Sequence, residues 1–135
     1  MEILHSKKFI EIRLHKEYKC IEWEWKQPAT IKDTKKLLDK IHDFFVKNNC
    51  DKINNIMQNM GVLPPELQEF VNTSWMPRMA QAGLKYVALV IPKSASADYT
   101  VEKVRDQVAD QREKGGIEEA AFGTIEEARA WIASR

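Results

Sequence analysis

Residues 53–83 read INNIMQNMGVLPPELQEFVNTSWMPRMAQAG, a strand, a turn and a proline-opened helix in succession. Ile53, Ile56 and Met57 give a short buried strand, interrupted by Asn54, Asn55 and Gln58. Buried amides need partners, so this polar content suggests a strand end that opens toward solvent or a site. Gly61 suits the positive backbone angle of a tight turn. Pro64 and Pro65 suit a helix start, where no amide hydrogen is required. Leu67, Phe70, Val71, Ser74, Trp75, Met79 and Ala82 then fall on one wide helical face. Pro77 removes a backbone donor inside that pattern and predicts a kink or split near Trp75–Met76. Gly83 supplies the stop.

Downstream, Lys85–Pro92 (KYVALVIP) places five consecutive aliphatic residues after Tyr86, the pattern of a central strand covered on both faces. A small-residue link, KSASADY, leads to Thr100, which caps a charged surface helix carrying Val101, Val104 and Val108. Gly115-Gly116 ends it, Ile117–Phe122 reads as a last strand, and Thr124 to Glu127 is a full capping box for a final helix with Ala128, Trp131 and Ile132 inward. Upstream, Ile10, Ile12 and Leu14 alternate with charges, and Ile21, Trp23 and Trp25 do so again, predicting a hairpin over residues 8–26. Its acidic face, with Glu22 and Glu24, reads as solvated. Thr30 caps a helix bearing Leu37, Leu38, Ile41, Phe44 and Phe45, which should fade at Asn48-Asn49. The result is one α/β domain over 1–135. It has a mixed, mostly parallel sheet of about five strands opened by a β-hairpin and about four crossover helices, in the order ββαβαβαβα.

Composition narrows the function classes. Twenty-one basic and 20 acidic side chains leave a net charge of +1. That balance supplies no counterion-release drive toward nucleic acid, and no run of basic residues points to an anionic membrane. No apolar run approaches the ~20 residues of a bilayer span, and the N-terminal stretch lacks a signal-peptide core. Cys20 and Cys50 fit reduced thiols, so a cytoplasmic protein is expected. His5, His15 and His42 are dispersed, which predicts no metal site. No glycine-rich phosphate turn, nucleophile elbow or cysteine–base motif is present, so neither cofactor nor catalytic residue is expected. Asn54, Asn59 and Arg78 are the only polar groups worth weighing for catalysis.

Asn59-Met60-Gly61 before a helix, Trp75-Met76-Pro77-Arg78 inside it, and Ala82-Gly83-Leu84-Lys85 leading into Val87 to Pro92 form a recognisable set. With the closing Glu126-Glu127-Ala128-Arg129-Ala130-Trp131 and the element order, the chain from Phe9 to Ile132 resembles the STAS domain superfamily. Within it, the likeness is to the SpoIIAA-like bacterial proteins that include anti-sigma-factor antagonists. The resemblance implies a non-enzymatic regulatory or protein-interaction module. In that family a serine or threonine before the second crossover helix is phosphorylated, yet residues 51–72 contain no Ser, Thr or Tyr. The phosphoswitch therefore lacks its acceptor.

The expected recognition surface comprises Asn59, Met60, Gly61, Val62, Leu63, Trp75, Met76, Arg78 and Met79, facing a protein partner of unspecified identity. The alternative is a small apolar ligand or lipid, similar to the cargo of CRAL-TRIO domains, in a pocket opened beside the Pro77 kink. A homodimer is left open.

Overall fold

The computed structural model describes residues 1–59, 64–91 and 116–135. Six strands form one sheet in sequence order: β1 (Glu2–Ser6), β2 (Ile10–His15), β3 (Cys20–Trp25), β4 (Lys52–Ile56), β5 (Tyr86–Val90) and β6 (Glu118–Phe122). The pairs β1–β2 and β2–β3 are antiparallel, and the remaining three are parallel. The architecture is thus α/β with a mixed sheet. The predicted hairpin is β2–β3, with Ile12 opposite Trp23 and Arg13 opposite Glu22. β1 was not expected, which corrects the count of about five strands to six. It is an edge strand with no buried residue, so no in-out alternation of apolar side chains announces it.

Helix α1 (Ile31–Lys47) begins where Thr30 Oγ1 accepts the Asp33 amide at 3.1 Å. It ends in a Schellman turn: the Cys50 amide donates to Phe45 O at 3.1 Å and the Asn49 amide to Val46 O at 3.2 Å, with Asn49 left-handed at φ 53°. Both ends match the sequence reading. Between β4 and β5, α2 (Pro65–Phe70) passes through a π-helical segment (Val71–Trp75) into α3 (Met76–Gln81). The π register is the chain's response to Pro77. That residue cannot donate to the Thr73 carbonyl, and the Met76 amide instead reaches back to Val71 O. The expected split is therefore a widened turn, and the helix axis continues through it with right-handed helical angles. Helix α4 (Ile125–Ala133) opens on the predicted capping box, with the Glu127 amide donating to Thr124 Oγ1 at 3.2 Å. The helix predicted from Thr100 and the link before it lie outside the described residues.

The two sheet faces carry separate cores. On one, Ile21, Trp23, Trp25, Ile53, Val87 and Leu89 pack with Leu38, Ile41 and Phe45 of α1 and with Leu67, Trp75, Met76 and Met79. On the other, α4 sets Ala128 and Ile132 on Cys20, Ile56, Ala88 and Val90. β5 is covered on both sides, as its unbroken aliphatic run implied.

Gly83 terminates α3 at φ +102°, with the Leu84 amide donating to Met79 O at 3.0 Å. A Cβ there would meet nothing within 4 Å, so the cost of a side chain is conformational and not steric. Gly83→Ala is expected to lower unfolding free energy by about 1–2 kcal/mol in urea titrations. An unchanged midpoint would show that the turn relaxes.

Candidate functional site

Those predicted recognition residues that are described do not share one exposed surface. Trp75, Met76 and Met79 are buried at 3%, 2% and 0% exposure. The Trp75 indole donates to Leu38 O at 2.7 Å and meets Trp23 edge-on at 5.9 Å between centroids. These three side chains are core packing between helix and sheet, and presenting them to a partner would require lifting the helix. Asn59 is exposed, and Arg78 donates to Asp39 of α1 at 2.6 Å. Met60, Gly61, Val62 and Leu63 lie outside the described residues. Asn54, weighed with Asn59 and Arg78 for catalysis, points to the α4 face, whereas Arg78 bridges to α1 on the opposite side of the sheet.

Two arrangements appear that the sequence reading did not find. The first is centred on Glu22, which is fully buried and not solvated as its acidic strand face suggested. Hairpin register sets Arg13 opposite it, and Arg13 Nη1 donates to Glu22 Oε2 at 2.8 Å. Arg129, 107 residues away on α4, adds Nε to Oε1 at 2.9 Å and Nη2 to Oε2 at 2.8 Å. Asn54 Nδ2 donates to Oε1 at 3.0 Å. The Arg13 guanidinium also holds Glu11 and Glu24, which face each other across the hairpin and would otherwise repel. Burial, the strongest influence on Glu22, pushes its carboxyl up, but Arg129, His15 and Arg13 together outweigh it and hold it far below the usual carboxylate range. His15 Nε2 stands 3.2 Å from Oε1. A cavity of about 280 Å³ lies beside this cluster under the C-terminal half of α4.

The second is a surface groove of about 430 Å³ where the β1–β2 turn meets α1. Lys7, Lys8, Lys36 and Lys40 rim it, Phe9 and Leu37 contribute apolar floor, and Asp33 is the one acid among the described residues that line it. None of the four lysines has a carboxylate within ion-pair distance among the described residues. Burial foremost, then the charges of Lys40 and Lys7, lowers the pKa of His5. The basic cluster missing from the sequence as a run is thus assembled in space from two segments.

The other perturbed groups move away from neutrality. Burial pushes the Cys20 thiol well up and the Cys50 thiol to about 11, so neither is a ready nucleophile. No group of three His, Cys, Asp or Glu side chains among the described residues could hold a metal ion. No described helix is long and apolar enough to cross a membrane. No family model, curated protein or solved structure matches this chain at significant similarity.

The ion cluster makes stability depend on pH with a definite sign. Above the ordinary carboxyl value of 4.5, Glu22 is ionised in both folded and unfolded chains and its stabilisation is fully present. As pH falls below that value, the unfolded chain takes up a proton that the folded chain refuses, and stability is lost. Glu22→Gln leaves two guanidinium groups short of a buried anion and should cost about 3–5 kcal/mol at pH 7. It should also flatten the acid limb of a urea-stability profile between pH 5 and the acid end. A variant whose profile parallels the wild type would show that the carboxylate is not the titrating group.

Proposed function

We propose that this chain is a non-enzymatic regulatory or interaction module of the SpoIIAA-like, STAS-type kind, working without that family's phosphoacceptor hydroxyl. A mixed sheet that opens with a hairpin and continues through β–α steps is compatible with that fold type. The observation that carries the reading is the lysine-rimmed groove. Four lysines and one aspartate leave it three charges positive, over an apolar floor, and among the described residues no carboxylate stands within ion-pair distance of the lysines. Such a surface fits an acidic segment of a protein partner, whose charge would steer association and whose apolar side chains would meet Phe9 and Leu37.

Affinity capture with the immobilised full chain tests this. A stoichiometric partner with an acidic segment should be retained, released on raising salt, and weakened about tenfold or more by Lys36→Glu combined with Lys40→Glu. Retention by that double variant but loss with Leu63→Asp would move docking from the groove to residues 59–63. A partner indifferent to both would overturn the interaction reading of these surfaces.

A further inference from the structure

Strand β1 has a free edge that leads into the lysine groove. Among the described residues β1 pairs with β2 alone, and no other backbone hydrogen bond leaves residues 2–6. A row of its amide and carbonyl groups therefore faces outward. Little on the strand blunts that edge. Glu2 carries its one charge at neutral pH, since the pKa of His5 is lowered, and Ile3 is 56% exposed. The chain then runs directly into Lys7 and Lys8 at the rim of the groove, and α1 brings Lys36 and Lys40 to the opposite rim. Burial first, then the charge of Lys40, depresses the His5 pKa, so that ammonium acts on β1 itself. Edge and lysines form one continuous surface.

The shape of the edge and the charges around it select the occupant. A β-bulge shifts the register against β2 between Ile3 and His5, so β1 is bent at its middle. A bent edge resists pairing with the equally bent β1 of a second copy, and it favours a short segment anchored by charge. The sheet's other edge, β6, begins with Glu118 and Glu119 and repels an acidic chain. We infer that an acidic segment of a protein partner binds in extended form as an added strand on β1, antiparallel to it. Its acidic residues, at its N-terminal end, lie against Lys7, Lys8, Lys36 and Lys40, and the residues that follow exchange backbone hydrogen bonds with β1. Antiparallel pairing is the more stable of the two senses per residue. This inference rests on the groove reading and adds to it the partner's conformation, its direction and the edge it uses.

A synthetic peptide of three glutamates followed by Val-Thr-Val-Thr-Val, blocked at both ends, tests the assignment against the full chain. It should bind, and on binding the outward amides of β1 should gain protection from hydrogen exchange. Successive residues of a strand direct their amides to opposite edges, so N-methylating the valines blocks one edge and N-methylating the threonines the other. Charge is the same in all three peptides. One methylated peptide should bind like the parent, and the other at least about tenfold more weakly. Equal effects of the two methylation patterns would overturn the added strand, as would unchanged exchange in β1 or silence toward the parent peptide. The groove reading is separable from these outcomes. Binding that Lys36→Glu with Lys40→Glu abolishes, yet that treats both methylation patterns alike, would keep acidic docking and remove the strand.

Discussion

The architecture turns on one buried carboxylate. Glu22 receives donors from β2, β4 and α4, joining the opening hairpin, the first parallel step and the last helix in one network. A buried charge is tolerable only when its partners are fully in place. Replacing such a cluster with well-packed apolar side chains can be neutral or stabilising, so its value here is positional. Helix α4 contributes only Ala128 and Ile132 as fully buried residues, a narrow stripe on which a helix can slide. The bidentate Arg129–Glu22 pair fixes its rotation and axial position. Asn54 Nδ2 shares Oε1 with that pair, which leaves Asn54 Oδ1 turned away from the carboxylate.

The opposite face is held in a different way. There Trp75, tied by its indole to the α1 backbone and by its ring edge to Trp23, fixes the helix following β4 against both neighbours. The π-helical segment just before Pro77 adjusts the register so that Trp75, Met76 and Met79 all reach the core. A proline that reads as a potential opening is thus a packing device. Polarity is distributed accordingly: the α1 face is closed by aromatic and sulfur-containing side chains, and the α4 face carries the ions and the polar cavity.

Most of the architecture was legible because its signals are local. Thr30, Thr124, Asn49 and Gly83 act within one helical turn, and the β2–β3 and β5 patterns are periodic over a few residues. What escaped was non-local. An acidic residue alternating with tryptophans looks solvated until Arg129 arrives from 107 positions away. Hairpin register alone did hold a clue, since placing Ile12 opposite Trp23 necessarily sets Arg13 opposite Glu22. The lysine groove had no comparable signal, because residues 7–8 and 36–40 are close only after α1 docks on the sheet. Net charge, near zero for the chain, concealed both arrangements.

The two sheet faces also hold charge in opposite ways. At the β1–β2 turn the lysines are exposed, with no carboxylate within ion-pair distance among the described residues. On the α4 face the charges are desolvated and fixed in orientation, and the Glu22 network uses them on itself. Since α4 depends on that network for its position, weakening the network would act first on α4, whereas the groove is built from α1 and the β1–β2 turn. β2 touches both, carrying Arg13 and His15 on one face and Ile10, at the groove, on the other. β3 does the same, with Glu22 toward α4 and Trp23 in the α1-side core, so the two differently charged faces share the hairpin as their common support.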